Sequence, residues 1–169
     1  MNAATNAPTR FQLNWTFHAS PAQVFRAWTD PGELSWFFND TMPIPDEPIE
    51  VDLRVGGTWK LMMVVSEANR YFTGGIYREI VAGEKLVFNW GAVDGWPLLV
   101  PDKLDEAPLV SLTFRAIEDG TELVVDVELP AAFERAAREG IGASIRSGWT
   151  DTINRLVAPM ARLATALAR

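Results

Sequence analysis

From about residue 144 to residue 169, apolar side chains recur at Trp149, Ile153, Leu156, Met160, Leu163 and Leu167. Steps of three and four residues put all six on one stripe of an α-helix. A stripe that long must be buried against something, and most of the chain before it has the period of strands. The arrangement predicted is one long helix held in the hollow of a curved antiparallel sheet. Pro159 falls inside the stripe, where it removes the bond to the carbonyl of Arg155 and crowds it. A kink or break is expected there, with only the first part, around Trp149, Ile153 and Leu156, gripped by the sheet.

Upstream, Phe11, Leu13, Trp15 and Phe17 alternate with Gln12, Asn14 and Thr16, the pattern of a strand with one buried face. Ser20-Pro21-Ala22-Gln23 and Asp30-Pro31-Gly32-Glu33 each offer a capping side chain, proline at the first helical position and a side chain that can bond back to the cap. They predict two short helices, the first burying Val24, Phe25 and Trp28, the second carrying Leu34, Trp36, Phe37 and Phe38. Loss of either cap should cost about 1 kcal/mol.

Pro43, Pro45 and Pro48 then enforce an extended connection. Ile49, Val51, Leu53 and Val55 alternate with polar residues, and Gly56-Gly57 turns the chain into Trp59, Leu61, Met63 and Val65, a hairpin by pattern. Tyr71 to Val81 is a further strand whose inward face is ambiguous; Gly74-Gly75 within it mark a bulge or a place where something comes close. Leu86, Phe88 and Trp90 form the next strand. Val110, Leu112 and Phe114 pair with Leu123, Val125 and Val127 around Glu118-Asp119-Gly120. A short helix is expected between Pro130 and Glu139. The order is strand, two short helices, six strands, long helix, an α+β chain with a lead over residues 1–9 expected to be disordered and one domain over 10–169.

A chain of 169 residues, 48% hydrophobic, can bury one substantial core. Its formal net charge of -7 disfavours nucleic acid and anionic lipid surfaces as partners. The absence of cysteine excludes disulfides and thiolate metal sites and fits a reducing compartment. No leader pattern and no segment of about 20 apolar residues is present, so no membrane insertion is expected and the location predicted is cytoplasmic. His18, the single histidine, cannot build a typical zinc site, and Asp94, Asp102, Asp105 and Glu106 lack the spacing of a calcium loop. No cofactor or metal is expected.

Several stretches together resemble the START-like helix-grip fold, also called the SRPBCC superfamily. They are Phe17 to Ser20, Val24 to Pro31, Leu34 with Trp36-Phe37, Asp52-Leu53-Arg54 with Gly56-Gly57, Gly75 with Tyr77, Leu86-Val87-Phe88, Gly120-Thr121 and Gly148-Trp149. More narrowly, the chain is similar to the bacterial family named after the activator of the heat-shock-protein-ninety ATPase. The resemblance implies a curved antiparallel sheet wrapped around the long helix. Families of this fold bind lipids, sterols or hormones, cyclise polyketides or assist chaperones, so the fold alone warrants no chemistry. One departure is at the aromatic pair after the second helix, usually two tryptophans followed by Gly-Pro; here it reads Trp36-Phe37-Phe38-Asn39-Asp40. The mouth of a cavity should differ accordingly.

If the sheet wraps the helix, its concave face carries Trp59, Leu61, Met63, Leu86, Phe88, Trp90, Val110, Leu112 and Phe114, while Lys60, Arg115, Glu122, Asp126 and Glu128 fall on the convex face. Either these apolar residues form a solid core or they leave a cavity. Gly74, Gly75 and the surplus of aromatics favour the cavity. The leading function is then binding of a small apolar or amphipathic molecule, lipid-like or polyketide-like. Its walls would be Trp28, Phe37, Trp59, Met63, Phe88, Trp90, Phe114, Trp149 and Ile153, with Tyr77 as polar anchor and Tyr71 and Thr73 as further inward polar candidates.

An enzyme of the cyclase, dehydratase or hydrolase type acting on an apolar substrate is the alternative; a chaperone-assisting module of the stress response is a third. No paired carboxylates point inward, which disfavours strong acid–base chemistry. The apolar run Trp96 to Pro101 fits three roles: a lid over the mouth, a dimer contact, or a loop folded on its own domain. A homodimer is the assembly suggested by that loop and the resemblance. The entrance is expected near this loop and the end of the long helix.

Overall fold

The computed structural model describes residues 9–93, 99–131 and 141–167. Among them, seven strands form one antiparallel sheet in the order β1-β7-β6-β5-β4-β3-β2. The strands are β1 (Thr9–Phe17), β2 (Glu50–Val51), β3 (Thr58–Ser66), β4 (Asn69–Val81), β5 (Lys85–Val93), β6 (Leu109–Ile117) and β7 (Gly120–Leu129). Helix α1 spans Pro21–Thr29 and helix α2 spans Ile141–Leu167. Because β1 and β2 occupy opposite edges, the chain between them must cross from one side of the sheet to the other. α1 and a 3-10 turn at Leu34–Phe37 make that crossing and pack against β6, β7 and α2.

The stripe on α2 is buried as its period requires: Ile145, Trp149, Ile153, Leu156 and Met160 all lie in the core. The helix runs on through Pro159, and Met160 beyond it is still buried, so the expected break does not release the second part at that point. The side chains at 163 and 167 lie outside the described ones, as do the lead over 1–8 and the short helix expected between 130 and 139, apart from its first two residues. The concave face carries the residues assigned to it by alternation. Leu61, Leu86, Phe88, Val110 and Leu112 are all buried. On the convex face Arg115 pairs with Glu122, Lys60 with Glu50, and Arg10 with Asp126. These exposed pairs contribute little to stability.

Two local expectations are corrected. The strand read over residues 49–55 stops at Val51, because the amide of Asp52 bonds Thr58 O and the chain then coils through Arg54 to Gly56 at φ 84°, leaving Leu53 and Val55 exposed. The second helix is only the 3-10 turn Leu34–Phe37. Asp30 does not cap it: its Oδ1 accepts from Gly32 N at 2.8 Å, and Glu33 turns to Arg26 instead of bonding back. Asp30 also ends α1, whereas the Ser20–Gln23 capping box that starts α1 is present in both directions. Of the two roles read for Gly74-Gly75, the close approach holds and the bulges lie elsewhere.

The register of β4 slips between Tyr77 and Glu79, and that of β3 between Val64 and Ser66, and bulges there bend the two strands. Gly75 instead admits a neighbour. A β-carbon on it would lie 2.5 Å from Trp59 Nε1 and 2.9 Å from Phe88 Cδ2, so the space saved is occupied by core aromatics rather than left open.

Candidate functional site

Pairing with β3 settles the inward face of β4. Met63 stands opposite Tyr71, Leu61 opposite Thr73 and Trp59 opposite Gly75, so Tyr71, Thr73, Gly75 and Tyr77 share the concave face. The first half of α2 crosses above this face. Between them lies a cleft of about 270 Å³ lined by Phe37, Met63, Tyr71, Thr73, Trp90, Ile145, Gly148, Trp149 and Thr152.

Of the ten residues expected to form a binding site, Phe37, Met63, Trp90 and Trp149 line this cleft. The other six pack behind it. Trp28, Trp59, Tyr77 and Phe88 surround a separate void of only about 10 Å³, Phe114 meets Phe25 edge-on at 5.4 Å, and Ile153 is fully buried. The aromatic surplus therefore fills most of the hollow. Trp59 contacts Phe37 at 5.5 Å and Phe88 at 5.4 Å, each nearly perpendicular, and Trp28 meets Trp36 at 4.8 Å. Trp149 joins this cluster to the cleft, touching Trp90 at 5.3 Å and Phe37 at 6.1 Å.

Polar groups in the lining differ in how far they are committed. Trp90 Nε1 donates to Thr73 Oγ1 at 3.1 Å, and Thr73 Oγ1 donates to Gly91 O at 3.4 Å, which uses that hydroxyl within the sheet. Thr152 Oγ1 accepts from Arg155 at 3.2 Å. Tyr71 Oη has no hydrogen-bond partner among the described residues, and burial raises its pKa. Tyr77, in the core, is buried with no partner for its hydroxyl; burial, seconded by the charge of Asp52, raises its pKa strongly. The Nε1 groups of Trp28, Trp59 and Trp149 are also enclosed without partners.

Arg155 was not singled out by the sequence, yet it fixes one wall. Its guanidinium donates to Trp36 O at 3.2 Å and Phe37 O at 2.8 Å, satisfying the last carbonyls of the 3-10 turn from the side of α2. Desolvation lowers its pKa, against the opposing pull of Asp40 and Asp151. Trp36 Nε1 donates to Ala27 O at 2.9 Å, tying the same turn to α1. Ile145, Gly148 and Thr152 were missed as well, although Ile145 lies one turn before Trp149 on the same stripe and extends it.

The cleft opens along the first half of α2, not at its end as expected. Residues 96–98 of the apolar run lie outside the described residues. In its remainder Leu99 packs against Gly91 of the same domain, and just beyond the run Asn89 Nδ2 donates to Leu104 O at 3.0 Å. His18 is exposed, and no group of acidic, histidine or cysteine side chains among the described residues has metal-binding geometry.

A family model described as activator of Hsp90 ATPase homolog 1-like protein matches residues 18–161. The chain belongs to this family. Solved structures share the fold of this Hsp90-activator-like domain at low identity. A Rhodobacter sphaeroides protein is 22% identical with a TM-score of 0.71, covering 92% of this chain and 93% of that one. A Mycobacterium smegmatis protein is 18% identical with a TM-score of 0.70, covering 94% and 92%. A Plasmodium falciparum protein described as an HSP90 activator is 20% identical with a TM-score of 0.59, covering 84% and 88%. At such identities the likeness shows the helix-grip α+β fold and nothing more. No curated protein matches the chain. Among the described residues no helix is long and apolar enough to cross a membrane.

Proposed function

We propose that this protein binds a small apolar or amphipathic molecule in the cleft between β3–β5 and the first half of α2. The observation that carries the reading is the cleft itself: about 270 Å³ with walls of Phe37, Met63, Trp90 and Trp149, in a molecule whose remaining aromatics close tightly on one another. Cofactor and ligand sites are concave, mostly apolar and carry a few polar groups, and this cleft has that composition. Among the described residues the lining has no carboxylate, imidazole or amine to move a proton, which supports retention of a molecule better than its turnover.

Gly148 provides the test. A β-carbon there meets nothing within 4 Å, so Gly148→Leu puts a side chain into open cleft space while replacing a poor helix former with a good one. Calorimetric titration with naphthalene should show one saturable site in the native protein and at least about tenfold weaker binding in the variant, with the thermal midpoint unchanged or raised. Absence of binding to the native protein, or binding indifferent to the substitution, would remove the reading.

A further inference from the structure

We infer that the cleft selects an uncharged ligand of one or two rings bearing a hydrogen-bond acceptor, held by Tyr71 and Thr152. This rests on the binding function proposed above and narrows it to a class of ligand: neutral ketones, esters, lactones or ethers rather than fatty acids, phosphates or ammonium compounds.

Charge is the first argument. None of the described lining residues is ionised at neutral pH, and the whole chain carries a formal net charge of -7. Beside the cleft, Arg155 directs its Nε and Nη2 donors away to Trp36 O, Phe37 O and Thr152 Oγ1. An anionic head would meet no cation in the described lining and would pay a large desolvation penalty. A cation would find aromatic faces, but the edge-to-face contacts of Trp149 with Trp90 and Phe37 direct those rings at one another rather than around a box, and no carboxylate stands among the described lining residues.

The second argument is the inventory of protons. Thr73 and Trp90 satisfy one another, and Trp149 Nε1 is enclosed among rings. Two hydroxyls remain. Tyr71 Oη has no partner, and Thr152 Oγ1 accepts from Arg155 but donates to no group among the described residues. Both have an O–H left to donate, so the complementary ligand atom is an acceptor. Burial raises the Tyr71 pKa, which keeps its proton in place. Size is the third argument. A cleft of 270 Å³ is about nine times the volume of a water molecule in the liquid, below the usual range for drug-sized ligands.

A matched series tests this by isothermal titration calorimetry: naphthalene, 2-acetonaphthone, 2-naphthoate and 2-naphthyltrimethylammonium. The ketone should bind about three- to tenfold more tightly than naphthalene, and both charged compounds at least about tenfold more weakly than the ketone. Tyr71→Phe, which keeps the ring, and Thr152→Val should each narrow the ratio of ketone to naphthalene affinity measured in the same variant. Naphthoate or the ammonium compound binding as tightly as the ketone would overturn the inference while leaving the binding function intact. A ketone no better than naphthalene, or an advantage that survives both substitutions, would overturn the assignment of the anchors. If no member of the series binds, the binding function falls and the inference with it.

Discussion

Tyr71 and Tyr77 lie six residues apart on one strand and face the same side of the sheet, yet they stand in opposite situations. Tyr71 reaches the cleft; Tyr77 is sealed among Trp28, Trp59 and Phe88, its hydroxyl unpartnered. A buried hydroxyl without a partner carries a desolvation cost that a phenyl ring lacks. Tyr77→Phe should therefore leave stability unchanged or raise it by about 1 kcal/mol in urea denaturation at neutral pH. The sign reverses nowhere with pH but grows in alkali. With its folded pKa raised, Tyr77 contributes stability that is complete below the ordinary tyrosine value of about 10 and is lost as pH rises above it, because the unfolded chain releases the proton first. The native protein should weaken as pH rises above about 10, and the Tyr77→Phe variant should weaken less. Equal alkaline losses in the two proteins would show that Tyr77 does not carry this effect.

Among the elements, the 3-10 turn at Leu34–Phe37 is the one whose placement matters most to the cleft. It is too short to hold itself, and it is fixed by Trp36 Nε1 bonding α1 and by Arg155 bonding its carbonyls from α2. Arg155→Met keeps most of the apolar stem but leaves two carbonyls without their donor. It should cost about 1–3 kcal/mol by chemical denaturation, and it should also weaken naphthalene binding, since Phe37 loses its support. A variant with native affinity would detach the turn from the cleft. The Asp30 signal failed as a helix start because the side chain caps the turn at Gly32 instead, while the same kind of signal at Ser20 succeeded, since its capping box closes in both directions. Local chemistry offered two starts of equal quality, and packing of Trp36, Phe37 and Phe38 chose between helix and turn.

For the whole molecule, stability rests on the α2 stripe buried against the sheet. Ile153 is fully buried, and Ile153→Ala should cost about 2–5 kcal/mol, read as a lower denaturation midpoint with an unchanged slope. A loss under about 1 kcal/mol would mean that the helix is not seated as described.

Much of this arrangement was legible beforehand because it depends on period alone. Alternation divides a strand into two faces, and a three-four spacing draws a stripe on a helix, so the concave face, the convex ion pairs and the seat of α2 could be read from residue order. The inward face of β4 could not, since two glycines and the slip between Tyr77 and Glu79 blur its parity, and only pairing with β3 resolves it. Nor could the size of the hollow. Whether an aromatic lines a cleft or fills a core depends on the volume its distant neighbours leave, and no short stretch of sequence records that sum. The chain by itself determined the family, the fold and the long helix lying in its sheet. Tertiary packing alone decided that Trp28, Trp59, Tyr77 and Phe88 close the core, while Phe37, Met63, Tyr71, Trp90, Trp149 and Thr152 leave one small cleft beside the first half of that helix.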